Sequence, residues 1–426
     1  MVNRFLRNKP AHLFDTTPLS RILMEPHVLP PPQRVILLLK GPARRGKSAG
    51  IQVGDGVRTG QKLTVSEEGR PYVISSVTGK VSAIYPYTGD FGNVYTAVAI
   101  ERAVEEAVSD EFEAVRETPS LEAAAAYLNG APGGLDLDVF SNPEKPIHTL
   151  IINAVDNDLL VATNQYIITS KASAVKAGAG ILKKITGIGR IVIAVPRNIV
   201  QNYGSFGTEV AAVDAQYPAT LPYNIVREVI GRETPAGKRF EDIGVAFLNV
   251  ESVAAIGSAF ETGRLPVSKV LTLIRKNETR VVVEARLGTS VGDVLRGCGE
   301  TAEDRDRIVI GGPMRGSCIY SEGHPVLPDT DAILVQDGRE IVPASDYPCT
   351  NCGECVRICP ARIQVNMLIR FLEAGKYEEA ADLYDLYSCI ECGLCSYVCV
   401  SRVPIFQYIR LAKYELERTR KAEASR

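Results

Sequence analysis

Eight of the chain's ten cysteines fall in two tight groups near its carboxyl end. They read Cys349-Thr-Asn-Cys352-Gly-Glu-Cys355-Val-Arg-Ile-Cys359-Pro360 and Cys389-Ile-Glu-Cys392-Gly-Leu-Cys395-Ser-Tyr-Val-Cys399. The spacing is the same in both, but the second group carries Val400 where the first has proline. Cysteines two residues apart let one tight loop wrap three corners of an iron-sulfur cube, while the fourth points toward a neighbouring cube. The expected ligand sets therefore cross over. Cys349, Cys352, Cys355 and Cys399 would hold one [4Fe-4S] cluster, and Cys389, Cys392, Cys395 and Cys359 the other. Gly353 and Gly393 stand between the second and third ligands, where a side chain would crowd the cluster. Four thiolates also suit zinc, but zinc sites place their cysteine pairs on more widely separated loops. Cys298 and Cys318 stand alone and read as small buried hydrophobes.

Composition narrows the setting. A chain of 426 residues is too long for one ordinary core. It has 45% hydrophobic and 23% charged residues, as folded globular chains do. With 48 basic against 50 acidic side chains there is no bulk attraction to nucleic acid or an anionic membrane surface. No apolar run approaches the length needed to span a bilayer, and the amino-terminal residues lack the apolar centre of a signal peptide. Clustered cysteines in a long chain of this kind read as metal ligands in a reducing compartment.

The elements that must position the cysteines follow from pattern. Residues 1–34 are proline-rich and read as an extended arm. Short β-type runs at 35–40, 50–53, 72–75 and 80–84, cut by glycine turns, indicate a small β-sandwich over 35–105. Helices at 120–128, 165–186 and 222–231 alternate with strands at 149–155 and 190–195, which indicates an α/β layer with a largely parallel sheet over 106–262. Strands at 267–275 and 279–285, then a short helix, look like a β-grasp domain over 263–340. From 341 to 426 the cysteine groups alternate with amphipathic helices at 365–374, 377–387 and 406–420. The fold class is a multidomain α/β chain with a helical two-cluster module at its end.

In this order the elements resemble the RnfC family of the Rnf electron-transport complex, which is related to the flavoprotein subunit of complex I. The likeness rests on the lipoyl-like halves at 53–61 and 76–84, Leu150-Ile-Ile-Asn153, Tyr217-Pro218, the stretch 242–250, Gly311-Gly-Pro-Met314 and the doubled cysteine motif. Lys80 lacks the context of a lipoylated lysine and reads as a solvated turn residue. The resemblance implies an SLBB-like β-grasp domain, a peripheral place on the cytoplasmic face of the cell membrane, and partners that are other subunits of a membrane complex. It also implies a ferredoxin-like or cytochrome electron partner, with membrane contact only through partner subunits.

In such relatives the flavoprotein-like domain binds FMN and accepts hydride from NADH. Here the matching positions are Gly133, Gly134, Asn153, Asp156 and Asp158, and they read as a degenerate flavin site. The loop at 130–140 is acidic where a phosphate would sit, and Tyr217-Pro-Ala-Thr220 lacks the usual glycine. Two further readings stay open on the sequence: a working FMN-containing NADH dehydrogenase subunit, and a non-redox protein that holds zinc or serves assembly.

Overall fold

The computed structural model describes residues 25–41, 50–65, 71–89, 92–198, 200, 207–345 and 347–424. Of the expected arm, residues 1–24 lie outside these. Of the described arm residues, His27–Val28 form a two-residue strand at the edge of a larger sheet, ahead of the donor-free prolines at 30–32.

The β-sandwich follows its hydrophobic alternation. Arg34–Lys40 buries Val35, Leu37 and Leu39 on one face, and lies in a sheet of order Arg34–Lys40, Val94–Arg102, Gly79–Thr88, Gly56–Val57. The structure corrects one expectation here. Residues 50–53 form no strand; the pairing residues come later, at Gly56–Val57, after Gly54 turns the chain in a left-handed conformation. Val94–Arg102, a central strand, was not anticipated.

The α/β layer is a four-stranded parallel sheet of order Glu209–Val213, Arg190–Pro196, Thr149–Asn153, Val245–Asn249. Its inner strands are buried on both faces, as in sheets covered by helices on each side. The helix expected over 165–186 is two helices, Thr163–Ser170 and Ala172–Thr186, interrupted at Lys171. Ala172–Thr186 packs on Val250–Thr262 so closely that the two backbones nearly touch. A Cβ on Gly178 would lie 1.9 Å from the Val253 carbonyl oxygen, and one on Gly257 would lie 1.9 Å from that of Ala174. Ala174 and Gly178 thus serve helix approach.

A six-stranded mixed sheet follows, built mainly on Ser268–Ile274, Arg280–Arg286, Ala332–Gln336 and Arg307–Ile310. One buried ion cluster ties it to the parallel-sheet body. Lys269, fully buried in its strand, donates to the Glu251 carboxylate, to the Val270 carbonyl (2.6 Å) and to Asp331 (3.3 Å). Removing one partner of such a group would strand a buried charge.

The final body surrounds the cysteine loops with helices Glu354–Ile358, Val365–Glu373, Tyr377–Leu383, Leu394–Tyr397 and Ile405–Ala424. Leu368, Ile369, Leu372, Ala380, Ile409 and Ala412 form its core.

The helix crossing makes a direct prediction. Gly257→Ala should destabilise the chain by about 1–3 kcal/mol, because a methyl group is forced against backbone. Gly180→Ala, where nothing lies within 4 Å, should be neutral or mildly stabilising. Urea unfolding of both variants checks the contrast.

Candidate metal centres

The two cysteine groups fold into the same loop. Asn351 and Glu391, then Gly353 and Gly393, take left-handed conformations at matching positions. These turns bring the chain back over its own cysteines: the Asn351 N–H donates to Cys349 Sγ and the Glu391 N–H to Cys389 Sγ, each at 3.4 Å. The exit turns also match. Arg362 N donates to the Cys359 carbonyl (3.1 Å) and Arg402 N to that of Cys399 (3.0 Å). Val400 therefore replaces proline without changing the turn.

Two hollows lie between these loops. Cys349, Cys352, Cys355 and Cys399 line the first, with Ile369, Val403 and Ile405 among its walls. Cys359, Cys389, Cys392 and Cys395 line the second, walled by Ile363, Leu368, Phe406 and Ile409. Each hollow thus takes three cysteines from one loop and the fourth from the other. Burial pushes the Cys355 thiol up to about 11 and the Cys392 thiol up to about 12, and moves Cys395 upward as well. Such thiols become thiolates at neutral pH when a bound metal compensates their charge. Among the described residues no group of three or more His, Cys, Asp or Glu is gathered as for a single metal ion. The donor set, the apolar walls and the spacing of the thiols around a hollow fit a cluster, and these eight cysteines could hold two. The hollows differ in exposure: Cys352 is exposed on the first, while Cys392 and Cys395 are buried on the second. Of the remaining cysteines, Cys298 is buried as expected, but Cys318 is exposed on the short strand Ser317–Ile319, a correction to its reading as a core residue.

The five residues expected at a flavin site gather along the carboxyl edge of the parallel sheet, where ligands of such sheets bind. Their polar atoms are turned inward. Asn153 accepts from Val155 N (3.0 Å) and donates to Asn157 Oδ1 (3.0 Å). Asp156 accepts from Asn164 N (2.7 Å) and Gln165 Nε2 (2.9 Å) at the start of Thr163–Ser170. Asp158 accepts from Leu159 N (2.7 Å), Met314 N (3.1 Å) and Arg315 N (2.8 Å). Gly133 N donates to the Pro328 carbonyl (2.7 Å) and Gly134 N to that of Ala131 (3.1 Å).

Comparison with known proteins gives three domain families in this order: the RnfC barrel sandwich hybrid domain over residues 24–105, the Nuo51 FMN-binding domain over 129–258, and a 4Fe-4S dicluster domain over 342–400. The chain is 29% identical to the C subunit of the ion-translocating oxidoreductase complex of Pseudomonas aeruginosa, over 88% of this chain and 52% of that protein. It is 28% identical to the C subunit of the proton-translocating ferredoxin:NAD(+) oxidoreductase complex of Clostridium ljungdahlii, over 91% of this chain and 89% of that protein. Against the Na(+)-translocating counterpart of Acetobacterium woodii it is 26% identical over 77% of this chain and 79% of that protein. The chain is RnfC-like, similar to C subunits of Rnf-type complexes over most of its length. It spans about half the length of the Pseudomonas relative and nearly all of the clostridial one.

In this RnfC-like chain the flavin-like edge does not fit a phosphate. Open N–H groups are what an anion needs there, and those of Gly130, Gly133, Gly134 and Leu137 are spent within the chain. Ser252 Oγ, buried and without a hydrogen-bond partner among the described residues, is covered by Gly133, whose added Cβ would lie 2.6 Å from it. On the far side of the loop a cavity of about 740 Å³ opens toward the β-sandwich. Among the described residues its lining sets Asp136, Asp138 and Asp329 against Lys40. Sequence reasoning did not foresee what holds the second cysteine loop: Tyr217, Arg315 and Lys413, from three separate stretches. Two of them belong to or adjoin motifs already visible, Tyr217-Pro218 and Gly311-Gly-Pro-Met314.

Asp156 supplies a test of this packing. Loss of hydration pushes its carboxyl up to about 6 from an ordinary 3.8, against the N–H donors that favour the anion. The folded chain therefore holds more protons than the unfolded one between those values, and stability from this group falls as pH rises through that window. In Asp156→Asn the gain in thermal midpoint between about pH 7 and about pH 5 should shrink; an unchanged gain would show that Asp156 is not the titrating group.

Proposed function

We propose that the chain is a peripheral electron-transfer subunit of an Rnf-type membrane complex, relaying single electrons through two [4Fe-4S] clusters. The observation that carries this reading is the pair of hollows, each completed by a cysteine from the other loop. Cys349, Cys352, Cys355 and Cys399 hold one cluster and Cys389, Cys392, Cys395 and Cys359 the other. Bound clusters would supply one-electron chemistry; the chain's own residues seat them, exclude water and set their exposure. Cys352 makes the first site the more accessible to a partner.

The names of the relatives support a place among other subunits of an ion-translocating ferredoxin:NAD(+) oxidoreductase complex. A ferredoxin-like or cytochrome carrier is the electron partner in this reading, and membrane contact comes only through partner subunits on the cytoplasmic face. No helix among the described residues is long and apolar enough to cross a membrane. We take the domain limits as 35–105, 106–262, 263–340 and 341–426, with a lipoyl-like first body that lacks a swinging arm, since Lys80 has no lipoylation context; it is exposed as expected, but in the strand Gly79–Thr88 rather than a turn. The third body is read as β-grasp in type. The flavin site is degenerate, so electrons enter from a protein partner.

The match to an FMN-binding domain over 129–258 favours a second reading, an NADH dehydrogenase subunit. Anaerobic purification with partner subunits separates the two. The relay predicts cluster absorbance without stoichiometric flavin on this chain, and no bleaching by NADH. One FMN per chain with NADH-dependent bleaching would replace it. Crossed ligation adds a second expectation. Cys359→Ser should damage the cluster built mainly by the second loop, and Cys399→Ser the one built mainly by the first. Spectroscopic cluster counts that reverse this pairing would refute the assignment.

A further inference from the structure

The two cysteine loops have the same backbone but unequal surroundings. Three carbonyls of the second loop are taken by side chains from elsewhere in the chain. Lys413 Nζ, on Ile405–Ala424, donates to the Cys389 carbonyl (2.8 Å) and to Glu391 Oε1 (2.8 Å). Arg315 Nε donates to the Glu391 carbonyl (3.2 Å), and the Tyr217 hydroxyl donates to the Cys392 carbonyl (2.5 Å). The Met314 carbonyl lies where a Cβ on Gly393 would come within 2.5 Å. Leu159, Tyr217, Leu221, Cys392 and Leu394 form one buried cluster, which fastens this loop to the parallel-sheet body. In the first loop the described side-chain donor to a ligand carbonyl is local. Arg357 Nη2 donates to the Cys352 carbonyl (3.0 Å) and pairs with exposed Glu354.

These donors offset the negative ends of loop carbonyls beside the ligand sulfurs, and Lys413 and Arg315 add two positive charges next to Cys389 and Cys392. The loop's own Glu391 N–H donates to Cys389 Sγ (3.4 Å). Donor dipoles and nearby positive charge favour the added electron of a reduced cluster.

We propose that Tyr217, Arg315 and Lys413 are positioning residues for the second cluster site, holding the Cys389–Cys392 loop on the parallel-sheet body and raising the reduction potential of that cluster. The inference rests on reading the hollows as cluster sites. It gives a role to the Tyr-Pro and Gly-Gly-Pro-Met stretches that a degenerate flavin site leaves unexplained.

The test uses the full chain, purified anaerobically with its clusters and titrated electrochemically under electron paramagnetic resonance. Arg315→Gln, Lys413→Gln and Tyr217→Phe should each move one reduction step to lower potential and leave the other in place. Arg357→Gln, at the first loop, should move the other step, which fixes the assignment. Lys413→Arg and Arg315→Lys should recover part of the shift. Selective loss of one cluster in an Arg315 or Lys413 variant, with half the iron retained, also supports the inference. Full iron and sulfide with neither step moved, or both moved equally, overturns it. A wild-type chain without iron and sulfide would instead overturn the cluster reading itself.

Discussion

Burial of thiol groups is the constraint on which the carboxyl-terminal body depends. Cys355, Cys392 and Cys395 are sealed among apolar side chains, where a bare thiolate is costly and a metal-bound one is not. The same leucines and isoleucines that form the helical core wall the hollows. Capture of a metal by these thiols would therefore be coupled to folding of the module. Because each hollow borrows a cysteine from the other loop, neither loop completes a site alone. That reciprocity fixes the two loops side by side.

The same economy of polar groups explains the closed flavin-like edge. Asp158 sits at the carboxyl end of a parallel sheet, where a ligand would be expected, but its oxygens are bonded to the turn at Met314 and Arg315. Arg315 then reaches the second cysteine loop. Contacts at the sheet edge that would otherwise face a cofactor run instead from Asp158 through one turn to a cluster loop. The crevice has become part of the mounting for the second cysteine loop.

How much of this was legible depended on the range of each interaction. The cysteine loops and their glycines are local, and the repeated spacing predicted two loops of like shape. The helical run expected over 165–186 ends where it was placed, at Thr186 before a left-handed Gly187, but the break at Lys171 leaves no mark in the apolar pattern. Glu209–Val213, Val245–Asn249 and Ala332–Gln336 escaped notice because five-residue strands show little periodicity. The closure of the flavin-like edge was hinted at by acidic residues in the loop. Its cause was invisible, since Asp158 and Arg315 lie 157 positions apart and Tyr217 and Cys392 lie 175 apart.

The inorganic content of the native chain tests ligation of two clusters most directly. Anaerobically prepared protein should contain about eight irons and about eight acid-labile sulfides per chain, and reduction should give the signals of two magnetically interacting [4Fe-4S] clusters. Colourless protein with stoichiometric zinc and no labile sulfide would contradict it.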